Sequence, residues 1–376
     1  MNKNSPLQVV QIASGDLWAG AEVQLYTLCK ALHECEDIKV RVILLNHGTL
    51  ADKLRDLGIP VEVLDETRLN TLQIGFRTYS YLKQHKPDVV HTHRIKENFI
   101  GGLAAWFARI PSLRSVHGAP EHRPGWKKPH KLLQYGLDWF IGRFLQAQII
   151  AVSSDLKTIL LNTYPENKIR VVENGIDIHA LAPFTNQATA TRTRPSAYKI
   201  GLVGRLVPVK RVDVFINTAQ YLRQHHPELD CQFHVYGDGP LQNELTKQIE
   251  TLALQDRVHL EGHTNAIHSK IAELDALLIT SDHEGLPMTL LETMVIGTPV
   301  IAHSVGGIIP VCQMGQCCEL VKTNDAIQFA KALVHRLTEW EETQRKASLA
   351  QQRIKENYSA EANAKSFINI YRLSRK

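Results

Sequence analysis

Short apolar runs of strand length alternate with amphipathic stretches of helical period along nearly all of this sequence, and they do so in two separate series. The first has its runs at Leu7 to Ala13, Val40 to Asn46, Val61 to Leu64, Asp88 to Thr92, Leu113 to His117 and Gln148 to Val152. The second begins at Lys199 to Val203 and continues with Cys231 to Tyr236, Val258 to Leu260, Asp275 to Ile279 and Pro299 to Ala302. Continuous apolar runs of this kind are strands buried on both faces, the condition of a parallel sheet. Strand, helix and parallel strand connect in a right-handed crossover, so each series predicts a doubly wound α/β domain with helices on both faces of its sheet. Ligands of such sheets bind beyond the carboxyl ends of the strands.

Between the series, Asn174 to Ala197 loses apolar periodicity and holds Pro183 and Pro195 among Thr and Ala. The sequence therefore divides into a domain over 1–175, a linker over 176–197 and a second domain over 198–358. At 376 residues the chain exceeds what one hydrophobic core usually supports, which agrees. Helical periodicity resumes after Asp325 and breaks near Asn357-Tyr358-Ser359. No sequence repeat relates the two halves.

Apolar residues at 44% and charged residues at 22% exclude a disordered chain. The apolar run Phe99 to Ala108 stops at Arg109, too short to span a bilayer, and the polar start Met1 to Ser5 is no signal peptide, so the expected location is the cytoplasm. Six cysteines with no Cys-x-x-Cys pair fit a reducing compartment. Cys312, Cys317 and Cys318 cluster without a nearby fourth ligand and read as core thiols.

Residues 1–175 carry 22 Lys/Arg against 17 Asp/Glu, whereas 176–376 balance at 21 each, so the net charge of +5 lies in the first half. Arg123, Lys127, Lys128, Lys131 and Arg143 stand among Trp126, Tyr135, Trp139, Phe140 and Phe144. This mix reads first as a core-facing helix with a solvated basic rim, and alternatively suits peripheral contact with an anionic membrane. No nucleic-acid motif accompanies the charge.

The chemistry concentrates after Asp275 to Ile279, in Ser281-Asp282-His283-Glu284-Gly285-Leu286-Pro287-Met288-Thr289-Leu290-Leu291-Glu292 and the following Gly306-Gly307. A strand, a loop and a helix entry place free backbone N–H groups at the sheet's mouth, where a phosphate docks. Glu284 falls in the loop and Glu292 in the helix. Both would be repelled by that phosphate, so their natural partners are sugar hydroxyls. After the first strand of the second domain comes Gly204-Arg205-Leu206-Val207-Pro208-Val209-Lys210, where glycine permits close approach and two cations reach a diphosphate. Glycine turns at Tyr236 to Pro240 and at Glu261-Gly262-His263 leave room for a flat base.

In the first domain, Ser14 to Glu22 follows the first strand, with Trp18 in the loop and Gly20 able to approach a phosphate. The Gly-x-Gly-x-x-Gly of a hydride-transferring enzyme is absent. His117 ends a strand, and His91 and His93 end another, where they stand as candidate acceptor-side residues with Trp18, Arg94 and Arg123. No Asp-x-Asp metal anchor occurs anywhere, so a leaving diphosphate must be met by Arg, Lys and helix N-termini.

Taken together, Gly20 in the first loop, His117, Asn174-Gly175-Ile176-Asp177, Gly204 to Lys210 and Glu284 to Glu292 resemble the family 4 retaining glycosyltransferases of GT-B architecture. That resemblance covers nearly the whole chain and implies two Rossmann-like domains facing across a cleft, with a final helix of about 359–376 returning to the N-terminal domain. It implies Arg205, Lys210, Glu284 and His117 as catalytic residues. Donor contacts would come from Glu292 on the ribose, from Gly20, Gly204, His263, Gly285 and Leu286, and from backbone groups of Met288 and Thr289. The implied function is transfer from a nucleotide diphosphate sugar, a UDP-sugar first, to a lipid-linked or surface polysaccharide acceptor, with neither metal nor resident cofactor. The chain departs from the family pattern at Ala19, Arg211, Pro310 and in Glu292-Thr293-Met294-Val295. A sugar-nucleotide epimerase of the same fold and a non-catalytic subunit that binds nucleotide sugar are the competing expectations.

Overall fold

The computed structural model describes residues 5–15, 18, 20–118, 136–189 and 195–375. It divides into two compact units, one of Met1–Gly175 with Ala360–Lys376 and one of Ile176–Ser359.

Unit 1 is built on β1 (Leu7–Ala13), β2 (Ile38–Leu44), β3 (Val61–Val63), β4 (Val89–Thr92), β5 (Ser112–Val116), β6 (Gln148–Ala151) and β7 (Ile169–Val171). They form one sheet in the order β3-β2-β1-β4-β5-β6-β7, with every pairing parallel. Val9, Val10, Ile12 and Ala13 of β1 are buried, as a central strand covered on both faces demands. Gln11, fully buried in the same strand, is the polar exception.

Unit 2 repeats the pattern with β8 (Tyr198–Val203), β9 (Cys231–Tyr236), β10 (Val258–Gly262), β11 (Ala276–Ile279), β12 (Val300–His303) and β13 (Glu319–Val321). Their order is β10-β9-β8-β11-β12-β13, again parallel throughout. In both sheets the strand order reverses beside the first strand, between β1 and β4 and between β8 and β11. That reversal parts the outgoing loops and opens a crevice at the carboxyl ends.

Local sequence explains where the helices begin. Asn70 accepts from the backbone N–H of Gln73, whose side chain accepts from Asn70 N–H, a complete capping box for Thr71–His85. Ser153 and Asp325 cap Ser154–Leu161 and Ala326–Thr338. The helix Ala360–Ser374 belongs to unit 1, where Ala364, Phe367 and Tyr371 join the core of β1 and β2.

Three sequence readings need correction. The 176–197 linker is in large part the helix Ile178–Thr189, with Pro183 inside it. Leu181 of that helix is buried, so tertiary contact supplies what the broken periodicity withheld. The edge strands β7 and β13, of three residues each, are too short to show a period. Cys312 and Cys318, read as core thiols, are buried but joined as a disulfide, with Cys317 free beside them.

Candidate functional site

In unit 2 the loops that leave β8 and β11 meet at the crevice. Lys210 ends a short 3₁₀ turn, Pro208–Lys210, and its ammonium donates to Glu284 Oε1 at 2.5 Å. Both side chains are largely withdrawn from solvent, at 26% and 11% exposure, which strengthens the pair relative to a surface one. They line a cavity with Val203, Thr280, Ser281 and Thr289.

A frame of hydrogen bonds fixes this loop pair. Asp282 N–H donates to Val209 C=O at 2.9 Å, and the Thr280 hydroxyl donates to the carbonyls of Lys210 and Arg211 at 2.9 and 3.0 Å. Arg211 bridges Asp213 and Asp282 at 3.0 and 3.1 Å, and the Asn324 amide donates to Thr280 C=O and Asp282. These pairs hold the Arg211 guanidinium even more firmly protonated than usual, Asp213 foremost. Arg211 and Asn324 went unrecognised because their role is to brace a loop rather than to carry a motif.

Glycine makes the packing feasible. A Cβ on Gly306 would lie 1.9 Å from Glu284 O, and one on Gly307 1.9 Å from Gly285 O. Gly307 N–H donates to Gly285 C=O at 2.8 Å, so the two loops touch backbone to backbone and Glu284 is fixed from behind. Gly237 and Gly239 similarly admit the carbonyls of Gly204 and Leu206.

The helix Met288–Ile296 starts beside the cavity with Pro287 at its cap position, which supplies no side-chain cap. Its first N–H groups and positive dipole end are thereby left for an anion. Met288 and Leu286 are buried while Thr289 faces the cavity. Glu292, one turn further, is buried to 8% exposure with Oε1 3.4 Å from His268 Nε2. His268, whose ring lies 5.6 Å from Phe184, is a neighbour that sequence reasoning missed. It stands on a different helix, Ile267–Glu273, with no motif to flag it.

Other expected residues of unit 2 stand apart. Arg205 is exposed, does not line the cavity, and has no ion-pair partner among the described residues. Gly204 donates its N–H to Tyr236 C=O at 3.0 Å and lies against the Lys210 side chain. His263 is exposed in the loop after β10, with no hydrogen bond among the described residues.

In unit 1 the strand ends carry a buried polar cluster. His93 Nε2 meets Gln11 Oε1 at 2.8 Å and His93 Nδ1 meets His117 Nε2 at 3.3 Å. His91 bridges the Tyr371 hydroxyl and Ser115 Oγ, both at 2.8 Å. Burial drives His91 and His93 well below the ordinary histidine range, and burial with the nearby Arg94 charge lowers His117 to about 4. All three rings are neutral at pH 7. His91 and His93, buried and bonded at both nitrogens, are no acceptor-side residues; His91 ties β4 to β5 and the last helix, and His93 joins Gln11 to His117.

Arg94 is ion-paired with the buried Glu22. Trp18 packs edge-on to Tyr26 at 5.9 Å with Lys53 over its ring. Gly20 opens the helix Gly20–His33. Arg123 lies outside the described residues, as do Lys127, Lys128, Lys131, Trp126 and Tyr135. Among the described residues no helix is long and apolar enough to cross a membrane.

Residues 18–180 match the model of Glycosyltransferase Family 4, and residues 197–339 match that of Glycosyl transferases group 1. A UDP-Gal:alpha-D-GlcNAc-diphosphoundecaprenol alpha-1,3-galactosyltransferase of Escherichia coli is 28% identical over 310 residues, covering 80% of each chain. A D-inositol 3-phosphate glycosyltransferase of Corynebacterium urealyticum is 26% identical over 351 residues, covering 83% of this chain and 78% of the relative. The crystal structure of Anabaena Alr3699/HepE in complex with UDP-glucose superimposes with a TM-score of 0.84 at 20% identity, over 98% of this chain and all of the other.

Proposed function

The chain belongs to the family 4 glycosyltransferases, with the two parallel-sheet domains of the GT-B fold, and from that premise we propose that it moves a sugar from a UDP-sugar to a lipid-linked or surface polysaccharide acceptor, with retention and without a metal. The observation that carries this reading is the pairing of Lys210 with Glu284 at 2.5 Å, inside a cavity beside the uncapped start of Met288–Ile296.

The parts suit departure of a diphosphate. Lys210 and the helix mouth meet its charge, and the exposed Arg205 is available to fold onto it. Donor entry exchanges the Lys210–Glu284 bond for two ligand bonds, leaving Glu284 to accept from sugar hydroxyls. Glu292, further along the same helix, accepts from ribose hydroxyls. The glycosidic C–O bond breaks toward the diphosphate, and the acceptor oxygen attacks the same face. Its proton passes to a diphosphate oxygen, which serves as the base. His117, neutral at pH 7, accepts a hydrogen bond from a sugar hydroxyl.

The donor and acceptor classes draw support from the Escherichia coli relative, which uses UDP-Gal and a diphosphoundecaprenol-linked sugar by name. The HepE structures hold UDP and UDP-glucose. Contact with an anionic membrane draws support from exposed aromatic side chains. Trp106 and Phe107 end one helix, and Trp139, Phe140 and Phe144 stand on the element around Ile141, which packs on that same helix through Gly102. Arg109 and Arg143 flank them, and unit 1 carries 26 Lys/Arg against 18 Asp/Glu.

Thermal-shift measurements with UDP-, GDP- and ADP-sugars, each with and without EDTA, test the donor and the metal together. Stabilisation by UDP-sugars that survives EDTA is expected, followed by transfer to a prenyl-diphosphate-linked sugar with the anomeric configuration kept. Preference for another nucleotide, or loss of transfer in EDTA, overturns the corresponding part. Release of an epimerised nucleotide sugar without acceptor replaces transferase by epimerase. Flotation with phosphatidylglycerol vesicles, lost in a Trp106→Ser/Phe107→Ser variant, tests the membrane contact.

A further inference from the structure

The geometry points to Gln11 as the positioning residue that fixes the tautomer of His117, so that His117 Nδ1 is presented as a hydrogen-bond acceptor for a hydroxyl of the bound sugar. This rests on the functional reading above only in the identity of the ligand; the protonation pattern stands on unit 1 alone.

The pattern follows bond by bond. Gln11 projects from the middle of β1, and its carboxamide nitrogen donates to the Tyr371 hydroxyl at 2.9 Å. The carboxamide oxygen therefore faces His93 Nε2 at 2.8 Å and can only accept, so His93 carries its proton on Nε2. Because that ring is neutral, Nδ1 holds a lone pair, and His117 Nε2, 3.3 Å away, must be the donor. His117 is neutral too, which leaves Nδ1 unprotonated. It has no partner among the described residues.

The same amide governs the other branch. The Tyr371 hydroxyl accepts from Gln11, so its own proton goes to His91 Nδ1 at 2.8 Å, and His91 donates from Nε2 to Ser115 Oγ at 2.8 Å. One amide orientation thus sets three imidazole tautomers, across residues from β1, β4, β5 and the last helix. The members are buried apart from His117, so water cannot readily substitute for a lost partner. Arg94 stands close enough to His117 to depress its proton affinity, which further disfavours an imidazolium.

An acceptor nitrogen selects ligand groups that donate, and sugar hydroxyls do. An imidazole held in the opposite tautomer would offer an N–H, suited to a carbonyl or a phosphate oxygen. The buried carboxamide of β1, whose other buried residues are Leu, Val, Ile and Ala, is thereby given a reason to be there.

The test is long-range ¹H–¹⁵N correlation of the histidine rings in the full-length protein at pH 7.5, with His117 assigned through a His117→Gln variant. The expected result is a neutral ring protonated on Nε2 at His91, His93 and His117. Gln11→Met keeps the side chain's length and removes both hydrogen bonds; His117 then shows mixed tautomers, and KM for the sugar substrate rises about ten-fold, as for one neutral hydrogen bond, with a smaller change in kcat. Tyr371→Phe serves as the second variant, because it removes the hydroxyl that orients the amide, so the His91 signature changes and His117 shows mixed tautomers as in Gln11→Met. His117 protonated on Nδ1 in the wild type, or an unchanged His117 signature in Gln11→Met, overturns the proposal. Addition of nucleotide sugar, and separately of acceptor glycan, then shows which ligand moves the Nδ1 resonance. If both bind and neither moves it, the sugar contact fails although the tautomer assignment stands.

Discussion

The crevice of unit 2 is braced by part-exposed ion pairs, whereas in unit 1 a buried chain of neutral groups runs through the strand ends beside the Arg94–Glu22 pair. In unit 2, Lys210–Glu284 and the Arg211–Asp282 bridge are ion pairs between two loops, part-exposed and braced by backbone contacts. In unit 1, Gln11, His91, His93, His117, Ser115 and Tyr371 form a hydrogen-bonded chain whose rings have been pushed away from protonation. A part-exposed ion pair can exchange its partner for a charged ligand at modest cost. A buried neutral chain cannot rearrange one member without unsatisfying the next. The contrast fits a division of labour in which unit 2 meets an anion and unit 1 offers fixed hydrogen-bond polarity to uncharged hydroxyls.

The sharpest break of that comparison is removal of charge in unit 2. Lys210→Ala and Glu284→Ala are each expected to lower kcat/KM by about 2 to 4 kcal/mol with the fold intact, since each removes a group proposed to meet the developing charge or the sugar. Steady-state kinetics beside far-ultraviolet dichroism checks this. Wild-type turnover in either variant would remove the pair from the chemistry. The double variant should lose less than the two single losses combined, because the partners touch.

Next in size is Gly307→Ala. Its Cβ would fall 1.9 Å from a backbone oxygen that cannot rotate away, so the loop bearing Glu284 must shift. A stability loss of about 1 to 3 kcal/mol is expected, with a larger proportional loss of activity. Gly75→Ala, where nothing lies within 4 Å of the added carbon in a helix, should be neutral or stabilising. Denaturant titration of both variants reads the difference.

These two regions also differ in how plainly the sequence announced them. The sheets were legible because buried parallel strands are apolar without interruption, and the Glu284–Glu292 segment was legible because one strand, loop and helix are contiguous. The chain from Gln11 to His117 was not, since Tyr371 reaches His91 across 280 positions and a lone buried polar residue within β1 is silent until the sheet order is known. The helix Ile178–Thr189 was hidden for the opposite reason, local breakers overruled by tertiary contact.

Acid should separate the units by a smaller margin. The folded rings of His91, His93 and His117 bind protons less readily than the unfolded chain does, His117 only near pH 4. The unfolded state therefore takes up more protons as pH falls below about 6.5, and unit 1 should hold this stability fully above that pH and lose it progressively toward 4. Melting curves at stepped pH check the sign. Replacement of His91 by Gln should flatten the dependence, and an equally steep curve in that variant would place the cause elsewhere.

The smallest expected effect concerns His268. Its contact with Glu292 is 3.4 Å long, with the histidine one-third exposed, so the pair is worth less than about 1 kcal/mol to the free protein. Should a ribose replace His268 as the partner of Glu292, His268→Ala ought to leave nucleotide affinity within a few-fold of wild type, whereas Glu292→Gln should weaken it by about ten-fold, the cost of a charge-assisted hydrogen bond. Calorimetric titration with UDP compares the two. Equal losses in both variants would mean that the imidazole holds the carboxylate in place for its ligand, and the unit 2 site would then be pre-organised through side chains much as the unit 1 chain is.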